Sequence, residues 1–206
     1  MTSVAVGVND SGQVVGYEMS PRTKDAAHAC IWEKQGDAWV WQDLDKGWEW
    51  SNAMAINKNG EVTGLYMNVD NKKRAFVWDK YKGMRTIPTP DNHETEGWAI
   101  NADGHIVGSA SYKISENETY KFAFIWFHGM DRIFDLNDFM PANMRGVCQF
   151  KEATGINDRL EIILNGTRKY PPDKKLNRAF ILRPKLVPGG AEGGIAAIIN
   201  NLLSEN

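Results

Sequence analysis

Four tryptophans crowd into one short stretch of this chain: Trp39, Trp41, Trp48 and Trp50. Two-residue alternation places Trp39 and Trp41 on one side of an extended segment, and does the same for Trp48 and Trp50 if that segment is a strand. With Trp98, these are the tryptophans that lack a counterpart at the same place in every related stretch of the chain. Large flat side chains at a surface offer contact area at low entropic cost, which makes them favoured anchors for partners. The five are therefore the candidate ligand contacts, for stacking on sugar rings or for holding a protein. The competing reading is an aromatic seal between packed sheets.

Other chemistry-bearing residues are less organised. His28, His93, His105 and His128 show no zinc spacing and have no cysteine pair beside them. Cys30 and Cys148 are too few for a disulfide framework and read as buried thiols. The loops Asn9-Asp10-Ser11-Gly12, Asn101-Ala102-Asp103-Gly104 and Asn157-Asp158 concentrate oxygens, but they lack the spaced carboxylates and closing Glu of a calcium hand. The 26 Asp and Glu residues contain no pair marked by sequence, and glycosidase acids are defined by their separation in space. No nucleophile elbow, phosphate loop or dinucleotide fingerprint is present. The expectation is no metal, no cofactor and no catalytic residue.

Charge narrows the partners. Against those acids stand 24 Lys and Arg, giving a net charge of −2. The longest basic cluster, Lys72-Lys73-Arg74, is too short for a nucleic-acid footprint. No apolar run reaches the length of a spanning helix. The start, Met1-Thr2-Ser3-Val4, lacks the regions of a signal peptide, so the chain reads either as intracellular or as a piece of a longer secreted protein.

The elements that must position these residues follow from an internal repeat. Val8-Asn9-Asp10-Ser11-Gly12-Gln13-Val14-Val15-Gly16 returns as Ile56-Asn57-Lys58-Asn59-Gly60-Glu61-Val62-Thr63-Gly64 and as Ile100-Asn101-Ala102-Asp103-Gly104-His105-Ile106-Val107-Gly108. A decayed fourth copy starts at Ile156-Asn157-Asp158, with Leu160 and Leu164 in place of its two glycines. A second motif follows each copy: Ala29-Cys30-Ile31-Trp32, Ala75-Phe76-Val77-Trp78, Ala123-Phe124-Ile125-Trp126 and Ala179-Phe180-Ile181-Leu182. Both motifs advance together with a period of about 48 residues, within the range of propeller blades.

Asn9, Asn57 and Asn101 suit the first position of a type I turn. Gly12, Gly60 and Gly104 suit the left-handed position of a three-residue hairpin loop. The second motif reads as a strand buried on both faces, with Trp32, Trp78 and Trp126 in the core. A fourth strand is expected at Trp39–Leu44, Met84–Ile87 and Arg132–Leu136. The reading is an all-β, β-propeller-like fold of four blade-like repeats, at about 4–48, 49–92, 93–140 and 141–188, within a domain spanning 1–188. A Gly-rich linker and an amphipathic C-terminal helix follow over 189–206, with Ile195, Ile198, Ile199, Leu202 and Leu203 on one helical face.

The paired signatures Ile-Asn-x-x-Gly-x-Val-x-Gly and Ala-Phe-x-Trp resemble the bacterial HAF repeat over roughly residues 4 to 184. The resemblance implies a β-rich, propeller-like fold in exported or cell-surface proteins, with no established activity and no catalytic residues. The expected function is a non-catalytic binding or scaffolding module that takes a glycan or a protein through loops at one end of the ring. Two alternatives stay open: a glycan-active enzyme with carboxylates at the propeller mouth, and a purely structural spacer. The sequence specifies no oligomeric state.

Overall fold

A computed structural model describes residues 2–19, 26–45, 47–170 and 174–184. These residues form four antiparallel sheets, each built from consecutive strands in chain order. The first holds β1 (Thr2–Val8), β2 (Val14–Met19), β3 (Ala27–Gln35) and β4 (Ala38–Asp43). The second holds β5 (Ser51–Ile56), β6 (Val62–Met67), β7 (Lys73–Asp79) and β8 (Gly83–Thr86). The third holds β9 (His93–Ile100), β10 (Ile106–Lys113), β11 (Thr119–Trp126) and β12 (Phe134–Asp135). The fourth has three strands, β13 (Cys148–Ile156), β14 (Ile162–Tyr170) and β15 (Lys174–Leu182). A single turn of 3-10 helix, Leu136–Phe139, leads from the third sheet towards the fourth. The expected C-terminal helix lies outside the described residues.

The hairpin turns take the expected conformation. Gly12, Gly60 and Gly104 have φ of 76°, 77° and 78°, a region that a side chain enters at a steric cost. Leu160 holds the same turn in the fourth sheet with φ 59°. Within each turn the Asn Oδ1 accepts backbone N–H groups two and four residues on, as in Asn57 with Asn59 N at 3.0 Å and Glu61 N at 2.9 Å.

The second glycine of the motif answers a different demand. A Cβ on Gly64 would lie 1.9 Å from Asn52 O, and one on Gly108 would lie 1.9 Å from Glu96 O. Each carbonyl is pushed there by a bulge in the neighbouring strand. Leu164 is tolerated because β13 carries two irregularities rather than one, and the close approach moves to Gly166, against Gln149 O.

Successive sheets pack face to face, and β5, β9 and β13 each lie across the sheet that precedes them. One core joins the first and second sheets through Val15, Ile31, Ala53, Val62, Phe76 and Trp78. A second joins the second and third through Val77, Ile106, Phe124 and Trp126. A third joins the third and fourth through Val107, Ile125, Phe150, Ala153 and Leu164. No comparable packing joins the fourth sheet to the first among the described residues.

Candidate functional site

The five candidate tryptophans do not form one platform. Trp39 lies on the edge strand β4 and is 58% exposed, while Trp41, two residues along the same face, is half-buried. Trp41 stands directly opposite Trp32 across the β3–β4 ladder, so these three aromatics share the outer face of the first sheet. Trp48 turns inward, with its ring 4.3 Å from that of Tyr66 at the edge of the first core. Its backbone N–H and that of Gly47 donate to Asp45 Oδ1, so a buried carboxylate orders this connection. The Trp50 carbonyl accepts from Met67 N at 2.9 Å, and its side chain is half-buried. Trp98 is on β9, its Nε1 donating to Ser109 Oγ at 3.3 Å.

The repeat residues hold the array together in a way that turn chemistry alone did not foretell. Asn9 Nδ2 donates to Asn57 O at 3.0 Å, Asn57 Nδ2 to Asn101 O at 2.9 Å, and Asn101 Nδ2 to Asn157 O at 3.3 Å. Each asparagine thus closes its own turn with its oxygen and ties on the next sheet with its nitrogen. The signal was in the sequence, because a turn alone accepts Asp or Ser where only Asn recurs. Two ion pairs also repeat across sheets: Lys73 with Glu96 at 2.6 Å and Lys121 with Glu152 at 2.7 Å.

Titratable groups outside these ties are mostly structural. Burial pushes the Cys30 thiol up to about 12, which keeps it protonated and unreactive, and both cysteines are free. Burial holds His105 below the ordinary histidine range, and its Nδ1 accepts from His128 N at 3.1 Å, a role only the neutral ring can fill. His28 Nδ1 lies 3.1 Å from Asp43 Oδ2. Among the described residues no three His, Cys, Asp or Glu converge as a metal site. Asp135 is raised by burial, and its Oδ1 caps the 3-10 turn by accepting from Asn137 N at 2.8 Å. Tyr120 donates to Asp135 Oδ2 at 3.3 Å, and its pKa is pushed up to about 12 by burial and then by that carboxylate.

A cleft that the sequence reading did not anticipate opens between the third and fourth sheets. Its volume is about 630 Å³, and its lining includes Lys121, Arg145, Lys151, Lys169 and Lys175 against one carboxylate, Glu118. Tyr120, Asn137 and Gln149 supply an aromatic ring and two amides to the same wall. A second hollow of about 510 Å³ shares Lys121 and Lys151 and runs on past Asn165 and Asn177, with Glu152, the ion-pair partner of Lys121, in its wall. Lys169 and Lys175 stand directly opposite each other in the β14–β15 ladder, where like charges repel. The lysines come from four strands, and only Lys169 and Lys175 are near each other in sequence, so no continuous basic run announced them.

Over residues 1–175 the chain matches the family described as protein of unknown function DUF3466. The chain belongs to that family. This corrects the HAF assignment, since short turn and strand signatures are shared wherever the same hairpin is built. The DUF3466 description carries neither an activity nor a compartment. No curated protein matches this DUF3466 chain. Among its described residues no helix is long and apolar enough to cross a membrane.

Proposed function

We propose that this DUF3466 chain is a non-catalytic binding module whose four sheets are propeller-like blades, and that the cleft between the third and fourth takes an acidic glycan. The observation that carries this reading is the cationic lining, above all the directly opposed Lys169 and Lys175 at one rim. A like-charged cross-strand pair is relieved by an anion bound between or beside it. Two adjoining hollows that share Lys121 and Lys151 suit an extended chain better than a small ion. Tyr120 offers a ring and Gln149 an amide for hydroxyls, although Gln149 also donates to Lys121 O; the Asn137 amide is taken up by Asp135 and the Phe150 backbone.

A glycan array probed with the intact chain and with a Lys169→Ala/Lys175→Ala variant tests this. Uronate-bearing or sulfated glycans should bind and their neutral counterparts should not. The double variant should lose about tenfold or more in affinity, equivalent to about 1.4 kcal/mol, and added salt should weaken the native interaction. Binding of acidic glycans that is indifferent to both lysines would sink the proposal, as would no binding at all.

A second reading has its own observation, the exposure of Trp39. Neutral glycans captured by the intact chain and lost in Trp39→Ala would place the ligand on the outer face of the first sheet instead.

A further inference from the structure

The three interfaces between sheets are built alike, and each has two halves. One half is a pair of apolar or small residues on the middle strands, facing the next sheet. Val15 and Ile31 serve the first interface, Thr63 and Val77 the second, and Val107 and Ile125 the third. All six are at most 2% exposed. The other half is the strand of the next sheet that lies across them, with a small residue at the contact: Ala53, Gly97 or Ala153, all buried. A bulge follows that residue each time.

Both halves occur once more, and both are bare. On the fourth sheet the equivalent pair is Ile163 and Ile181, directly opposed in the ladder and 51% and 57% exposed. On the first sheet the equivalent crossing strand is β1, with Ala5 at the small-residue position and the same bulge after it. Ala5 is exposed, and so are Val6 at 42% and Val8 at 66%. Beside them, Trp32 occupies the place of Trp78 and Trp126, which are buried against the preceding sheet, yet Trp32 is only half-buried. The asparagine ladder ends in the same way. Among the described residues Asn157 Nδ2 bonds only Glu161, within its own turn, and no preceding asparagine reaches Asn9 O.

We infer that the outer face of the fourth sheet docks the outer face of the first sheet in a second copy of this chain. The occupant follows from continuity with the established interfaces, because one chain carries both complementary halves of a contact it already makes three times. Such a contact is heterologous, head to tail, and builds a closed ring or an open string of copies. Ile163 and Ile181 would lie under β1 and Trp32 of the partner copy, with Asn157 Nδ2 donating to its Asn9 O. The variants leave the cleft residues in place, but two-residue alternation puts Asn165, Asn177, Lys169 and Lys175 on the same ladder face as Ile163 and Ile181, so the test is run without glycan.

Sedimentation velocity on the intact chain over a range of concentrations tests it with two blocked variants. Ile163→Glu/Ile181→Glu disables the fourth-sheet face, and Ala5→Arg disables the first-sheet face. All three residues are solvent-exposed in the single copy, so thermal unfolding followed by circular dichroism should be unchanged. The wild type should self-associate with rising concentration, and each variant alone should stay monomeric. An equimolar mixture of the two variants should form a one-to-one pair, because each retains the face the other lacks. A wild type that stays monomeric at every concentration overturns the inference. So does self-association that survives in either variant, or a mixture that fails to pair.

Discussion

The second and third sheets differ from the fourth less in residue type than in what covers them. Val77 and Ile125 are 2% exposed where Ile181, at the same place in the motif, is 57% exposed. Phe76 and Phe124 are fully buried, while Phe180 is half-buried in the last core. The turn differs as well, glycine at φ near 77° in the inner sheets and Leu160 at φ 59° in the last. Stability in such an array is the sum of each sheet's own terms and the interfaces on its two sides. Among the described residues the fourth sheet has one packed interface where the second and third have two. Its residues are therefore under weaker packing demands, which is the physical setting in which the repeat could decay.

The contrast can be broken most directly at the phenylalanines. Phe76→Ala should destabilise by about 3–5 kcal/mol through a cavity that cannot collapse, whereas Phe180→Ala should cost roughly half as much. Urea denaturation monitored by tryptophan fluorescence reads both, and equal losses would show that the terminal sheet is as tightly packed as the inner ones. The asparagines sharpen the comparison next. Asn57→Ala removes two turn bonds, an intersheet bond and a bond to Glu61, and should cost roughly 2–3 kcal/mol. Asn157→Ala removes only bonds within its own turn and should cost about 1 kcal/mol. Similar losses at both would mean that the intersheet bond contributes nothing measurable. The smallest effect is expected at the decayed turn. Leu160→Gly should stabilise by roughly 0.5–1 kcal/mol, the left-handed penalty of about 1–2 kcal/mol offset by the entropy of the added glycine. A loss of stability there would show that the Leu160 side chain packs favourably enough to outweigh its backbone.

Much of the fold was legible because its determinants are local. Asn and Gly at fixed offsets require the hairpin turn, and alternating apolar residues require a strand with a buried face. The repeat of both set the number of sheets. The candidate site was far less legible. Trp48 and Trp39 look alike in sequence, nine residues apart in one aromatic stretch, yet one ring rests on Tyr66 and the other is open to solvent. Strand register and the folding of the connection decide that difference, and neither is written in the residue types. The cationic cleft was invisible for a related reason. Lys151, Lys169 and Lys175 are gathered by strand pairing within the fourth sheet, and its packing on the third sheet adds Lys121.

The sequence by itself determined the all-β character, the four hairpin turns and the strands that flank them, because each depends on contacts within a few residues along the chain. The tertiary structure alone decided which faces meet, which tryptophans are covered, where positive charge converges, and, among the described residues, which faces of the first and fourth sheets are exposed. Those depend on groups tens of residues apart, whose separation in space is set only once whole sheets have packed.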